Sequence, residues 1–186
     1  MTASTQQVRS QGTRDRILAS ARALFGQVGF DRATIRAVAL RANIHPSLVM
    51  RYYGSKEGLF LASMQFDLRL PDLSKIPPKK RGKVLARHFL TRWEGPETHG
   101  ELPALLRLAV THPAGRQKLF DVFSQQVAPA ILNILPPDRA CTAAVHIAAG
   151  AIGLAFTRYV IELPGMVALT QEELVAVLSD AFERHL

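Results

Sequence analysis

One cysteine among 186 residues rules out an intrachain disulfide framework and a cysteine-based metal set. Cys141 lies in an alanine-rich apolar run, which predicts a buried, inert thiol. Glycine-rich phosphate loops, nucleophile elbows and paired carboxylates are missing too, so neither an enzyme nor a cofactor is expected. The opening residues MTASTQQVRSQGTRDR contain no apolar core and no small-residue cleavage pattern. The longest apolar stretch, residues 143–156, is interrupted by His146 and reads as too short for a membrane span, so a cytoplasmic protein is expected.

Acidic residues are scarce at one end. The chain carries 23 Lys/Arg against 15 Asp/Glu, a net +8, but residues 1–56 hold nine Lys/Arg against only Asp15 and Asp31. The remainder is almost neutral. A positive excess confined to one quarter of a chain is the electrostatic footprint of a phosphate binder. With 48% hydrophobic and 20% charged residues, the composition suits a well-cored protein of one or two domains.

Apolar residues recur at helical spacing throughout and no strand pattern stands out, so the fold class is all-α, with about nine helices. Ile17, Leu18, Ala21, Leu24, Phe25 and Val28 make one stripe over residues 13–28, and Gly29 closes it. A second helix covers 34–42 with Ile35, Val38, Ala39 and Ala42 inward. A third covers 46–53, with Pro46 in a first turn that needs no N–H there. Ser55 offers an N-cap to a fourth, running through Phe66 towards Pro71. The proline-broken basic segment 71–83 reads as a connector. Helices follow at about 79–94, 102–110, 116–135, 138–163 and 171–185.

Residues 35–54 have the grammar of a helix-turn-helix: two helical periodicities joined at Asn43, a residue type that tolerates positive φ. Val38, Ala39, Ala42, Ile44 and Val49 are expected inward, with Ala39 small because the helices cross there. On the third helix Val49 and Tyr53 face in, which turns Ser47, Leu48, Met50 and Arg51 outward. Such side chains suit the thymine methyls and guanine acceptors of a major groove. Arg14, Arg16 and the arm bearing Arg9 add candidate nonspecific contacts, whereas Arg22 and Arg41 read as solvated or paired charges.

The last helix opens on a capping box, Thr170 with Glu173, and carries the stripe Leu174, Val177, Leu178, Ala181 and Phe182. The helix before it is rich in alanine and glycine, which lets a neighbour approach closely. Together these faces predict a homodimer through the last two helices.

The run Thr13-Arg-Asp-Arg-Ile-Leu, the Leu24-Phe25…Gly29-Phe30 helix end, Thr34…Arg36…Val38-Ala39 and above all Tyr52-Tyr53-Gly54-Ser55-Lys56-Glu57-Gly58-Leu59-Phe60 resemble the TetR family of bacterial regulators. The resemblance is strong over residues 11–60 and architectural beyond. It implies a helix-turn-helix DNA-binding domain at 11–70 and a helical ligand-binding and dimerisation domain at 78–186. It also implies that Thr34 and Lys56 hold phosphates, that Arg36 and the third helix meet base edges, and that Tyr52 contacts the DNA backbone. Thr34, Arg36, His45, Pro46, Ser47, Leu48, Met50, Arg51, Tyr52 and Lys56 thus form the candidate DNA-contacting set. His45 stands where the family usually places Ser, Thr or Asp, and Met50 where a tyrosine is common. Two readings of His45 stay open: a phosphate contact when protonated, or a poor helix cap.

The resemblance further implies a pocket for a small-molecule effector in the larger domain. Its candidate lining is Phe66, His88, Trp93, Phe120, Phe123, Gln126, His146, Phe156 and Tyr159. His88 and His146, on apolar faces, read as core histidines, and Arg158 reads as the partner of Glu162 one turn on. The functional expectation is a dimeric, ligand-responsive repressor that reads a pseudo-palindromic duplex DNA operator. The alternative is a helical small-molecule-binding protein whose basic module no longer reads DNA.

Overall fold

The computed structural model describes residues 3–64, 66–95 and 101–186, with side chains from residue 10 onward. The Arg9 side chain, an expected nonspecific contact, lies outside the described residues. The chain forms two compact units, residues 1–65 with 99–104, and residues 66–98 with 105–186. The basic segment 71–83 belongs to the second.

In the first unit, α1 (Ala3–Arg32) buries Ile17, Ala21 and Phe25 at four-residue spacing. Gly29 takes φ 79°, ψ 168°, a region open in practice only to glycine, and so breaks the helix. α2 (Ile35–Ala42) begins where the Thr34 hydroxyl oxygen accepts the Ala37 N–H at 3.1 Å. It ends at Asn43, whose φ of 53° and ψ of 54° make the expected left-handed pivot. α3 (Pro46–Tyr53) and α4 (Lys56–Ser63) follow, the latter capped by Ser55 Oγ, which accepts the Gly58 N–H at 3.0 Å. Phe60 holds the unit's centre edge-on, 5.2 Å from Phe25 and 5.0 Å from Phe30 between ring centres.

α4 is shorter than its apolar pattern suggests: Met64 is already extended at φ −94°, ψ 138°. Two groups terminate it. The buried Ser63 hydroxyl donates to the Phe60 carbonyl at 3.0 Å, and Arg22 Nε donates to the Ser63 carbonyl at 2.9 Å. Arg22 is therefore a cap for the last turn of α4 rather than a solvated charge.

The regular structure of the second unit, among its described residues, is all helical. After a short 3₁₀ turn at Leu73–Lys75 come α5 (Pro78–Glu94), α6 (Glu101–Thr111), which straddles the division between the units, and α7 (Pro113–Val122). The single helix expected at 116–135 is divided. A π turn at Phe123–Val127 separates α7 from α8 (Ala128–Leu132). Pro129 explains the division, since it supplies no N–H and its ring crowds the carbonyl four residues back. The Ala128 N–H accordingly reaches to Phe123 O. α9 (Pro137–Tyr159), the short α10 (Pro164–Val167) and α11 (Gln171–Glu183) complete the chain, with the predicted Thr170–Glu173 capping box in place. The core joins Leu85, Ala86 and Leu90 of α5 to Ala144 and Ile147 of α9 and to Leu174, Leu178 and Phe182 of α11.

Several surface assignments differ from expectation. Val177 is 53% exposed and Val175 takes the inward place on α11. Cys141 is exposed, and so is His146, which stacks on His185 at 4.3 Å. Both sit on the side of α9 turned from the core, where Val145 is 52% and Ile152 37% exposed. A helix apolar all round cannot have its inner face read from composition. For the same reason the apolar run was underestimated: α9, at 23 residues, is long and apolar enough by length and composition to cross a membrane.

Candidate nucleic-acid interface and ligand cavity

The end of α3 that opens the helix-turn-helix is built by His45. Its Nδ1 accepts the Ser47 N–H at 3.3 Å and lies 2.7 Å from Ser47 Oγ. The imidazole does the work that a serine or aspartate oxygen does elsewhere, so the position is a functioning cap. Behind it Ile44 N–H donates to Ala39 O at 3.0 Å, and Val38, Ala39 and Val49 are fully buried between α2 and α3.

With Val49 inward, Ser47, Met50 and Arg51 face solvent, and Pro46 and Leu48 are half-buried. Thr34, Arg36 and His45 are exposed as well. Tyr53 is half-buried, its hydroxyl donating to the Arg14 carbonyl at 3.5 Å. Tyr52 is braced between charges: the Arg14 guanidinium lies 4.9 Å and that of Arg51 5.6 Å from its ring centre. Its hydroxyl is 3.4 Å from Ser10 Oγ. That contact first, and the two guanidiniums after it, outweigh desolvation and hold the phenol below its ordinary value. Lys56 Nζ donates to Asp31 O at 3.1 Å and sits 4.5 Å over the Phe30 ring. It thereby ties the start of α4 to the segment after Gly29. Sequence reasoning missed the bracing role of Arg14 and the exposure of Leu40, 84% on α2. An apolar residue off the inward stripe was the available signal.

The second unit contains an apolar cavity of about 80 Å³. Of the expected lining, His88 and Trp93 are on its wall, and the other seven are not. Phe66 is buried beside Lys118, whose amino group is 5.6 Å from its ring centre. Gln126 instead binds backbone. Phe123 packs on the core and Phe156 is half-buried. Tyr159 stacks on Trp93 at 5.3 Å and donates to Glu94 at 3.0 Å. Burial, then that bond, raises its phenol pKa well above the ordinary value. Phe120, 60% exposed, and His146 are on the surface. Walls contributed by Leu68, Leu70, Phe89, Val127, Ala130 and Ala151 went unread, because helical periodicity gives a face but not what lies opposite. His88 is satisfied, its Nε2 donating to Leu68 O at 2.8 Å. Arg158 pairs with Glu94 at 2.9 Å, not Glu162. α9 ends at Tyr159 and Glu162 turns away at a φ of 57°, so no helical turn links the two.

Comparison with known proteins matches both units to one family. Residues 17–63 match the bacterial regulatory proteins of the tetR family. Residues 80–186 match the tetracyclin repressor-like C-terminal domain. A TetR-family regulator from Streptomyces coelicolor is 26% identical, with a TM-score of 0.57 over 92% of this chain and 93% of that one. The multidrug binding protein EbrR, solved with imidazole, is 22% identical, with a TM-score of 0.64 over 90% and 88%. A transcriptional regulator from Saccharomonospora viridis, solved with choline, is 18% identical, with a TM-score of 0.60 over 93% and 96%. None of the curated protein sequences compared with the chain matches it. A helix-turn-helix in a basic unit that matches at 17–63, followed by a helical unit that matches from residue 80 to 186, places the chain in the TetR family of DNA-binding transcriptional regulators.

Proposed function

We propose that the protein is a cytoplasmic, ligand-responsive repressor that binds a pseudo-palindromic operator as a homodimer, residues 11–70 reading DNA and 78–186 holding effector and partner. The observation that carries this reading is the outward face of α3, Ser47, Met50 and Arg51, on a helix locked from behind by buried Val49. Arg51, with Arg36, is assigned to guanine edges, and Leu48 and Met50 to thymine methyls. Thr34 and Lys56 are assigned to phosphates. The Thr34 oxygen accepts within its own cap, which leaves the hydroxyl proton to donate outward. Lys56 spends one of three N–H groups on Asp31 O and keeps the rest. Tyr52, steadied by Arg14 and Arg51, contacts the backbone, and His45 and Pro46 set the pitch of the helix.

The apolar surface left on α9 and α11, with Val145, Ile152 and Val177 each more than a third exposed, supports a two-fold interface between copies. The same face accounts for the hydropathy of α9 without a membrane.

Fluorescence anisotropy with the DNA upstream of the protein's own gene tests the reading. Specific binding at moderate salt is expected. Arg51→Ala should abolish discrimination between operator and random DNA, while Lys56→Ala weakens both alike and lowers the salt slope by about 1. Equal affinity of the folded wild-type protein for operator and random DNA sinks the proposal.

A further inference from the structure

Between α4 and α5 runs a strap, residues 66–73, non-helical as far as Asp72 and ending in the 3₁₀ turn at Leu73–Lys75. Backbone bonds hold its end, where the Lys75 and Ile76 N–H groups donate to Asp72 O and Leu73 O, each at 3.2 Å, and Arg69 lies in the left-handed region at a φ of 50°, a conformation that costs a side-chain-bearing residue free energy. Arg81 Nε donates to Leu73 O at 3.1 Å, and side chains of three further residues hold residues 66–68. Gln126, on the π turn, accepts the Leu68 N–H at 2.7 Å and donates to Phe66 O at 2.8 Å. His88 donates to Leu68 O at 2.8 Å, and Arg92 donates twice to Asp67 O, at 3.0 and 2.7 Å. π turns recur at functional sites, and this one aims its glutamine at the strap.

The strap is also a wall. Leu70 and Leu73 border the apolar cavity on one side and an open groove on the other. The remaining walls are helical, from α5, the π turn with α8, α9 and, through Phe182, α11. The polar side chains at the cavity, His88 and Arg92, are turned to strap carbonyls, and no carboxylate lines it. A cation entering there loses water and gains no counter-charge. Aromatic faces do not compensate, since Trp93 is stacked on both Phe89 and Tyr159, each at 5.3 Å. Carbon-lined space of this kind stays dry and takes neutral apolar molecules. Its size adds a condition. At about 80 Å³ the cavity is smaller than the roughly 150 Å³ engineered cavity that admits benzene, so a ring-sized guest must move a wall. Helices held by their own hydrogen bonds resist. The strap, held by side chains, yields.

We infer that the cavity binds a small neutral apolar molecule of aromatic-ring size, and that binding displaces the strap at residues 66–73. The inference rests on the reading of this unit as the effector domain and names the effector's class.

Toluene, choline and benzoate, as neutral, cationic and anionic probes, test this on the full chain. Trp93, the one tryptophan in the sequence, lies on the wall and reports occupancy by fluorescence. Toluene should change that emission saturably and raise the melting temperature with concentration, while choline and benzoate do neither. Ala148→Leu, which fills the cavity from α9, should remove the toluene response, and Ala151→Val should weaken it if the larger change does not fold. Gln126→Ala frees the strap and should bind toluene severalfold more tightly, because less is lost on opening. A response to choline or benzoate in place of toluene overturns the ligand class. Toluene binding that ignores both filling variants overturns the site, and unchanged affinity in Gln126→Ala overturns the strap. Operator binding is measured separately by anisotropy without probe, and its absence would count against the DNA-reading proposal alone.

Discussion

Glycine-to-alanine changes at positions 12 and 82 alter the chain identically, yet a gain in stability should appear at position 12 and none at position 82. Both residues are helical, in α1 and α5, and alanine favours a helix interior over glycine by about 1 kcal/mol. At Gly12 an added methyl meets nothing within 4 Å, so the whole gain should appear. At Gly82 it meets the Glu183 side chain, and the Glu183 nitrogen and Ser179 carbonyl oxygen each at 3.0 Å. The side chain can swing aside; the α11 backbone cannot without parting from α5. Overpacking of this kind costs about 1–3 kcal/mol, which cancels or exceeds the propensity gain. Gly12→Ala should therefore stabilise by about 1 kcal/mol, while Gly82→Ala ranges from neutral to about 2 kcal/mol destabilising. Differential scanning calorimetry reads the two units as separate transitions if they unfold independently. Gly82→Leu should deepen the loss, because the larger side chain has nowhere to go. An upward shift for Gly82→Ala as large as that for Gly12→Ala refutes the close α5–α11 crossing.

His45→Ala should lose about 1 kcal/mol of first-unit stability and His45→Ser should restore it, since only an acceptor for the Ser47 N–H is required; chemical denaturation of the two variants decides. Arg158→Met should cost about 1.5–3 kcal/mol, the range for hydrogen bonds to charged groups, because it leaves Glu94, at 30% side-chain exposure, without its guanidinium; Glu94→Gln should cost less. Burial, His146 and Arg184 hold the His185 imidazole below its ordinary value. The unfolded chain then takes up a proton that the folded one resists, so stability should be level above about pH 6.5 and fall as the pH drops below it. His185→Gln should flatten that fall in a series of melting curves, and an unchanged slope refutes the assignment.

The helix-turn-helix was legible because each signal in it is local. Asn43 sets its own φ, Gly29 its own break, Thr34 and Ser55 satisfy amides within one turn, and the inward stripe of α2 and α3 follows from 3.6-residue periodicity. His45 shows the limit of residue-type rules, since the geometry of a nitrogen acceptor sufficed where an oxygen was expected. α4 ended early for a reason no local pattern contains: Arg22, 41 positions away, takes its last carbonyl.

The second unit was legible as helices but not as a site. Its apolar residues lie on every side of α9, so composition could not separate Ile147, buried, from Ile152, exposed. Neither could it foresee that Gln126 would pin the strap. By itself the sequence determined the reading head, its charge and its family, because caps, turns and one signature run act over a few residues. The tertiary structure alone decided the cavity, the partner of Arg158 and the apolar side chains left exposed on α9 and α11. Those depend on which side chains the packing brings together across 20 to 85 positions, and no single helix carries that information.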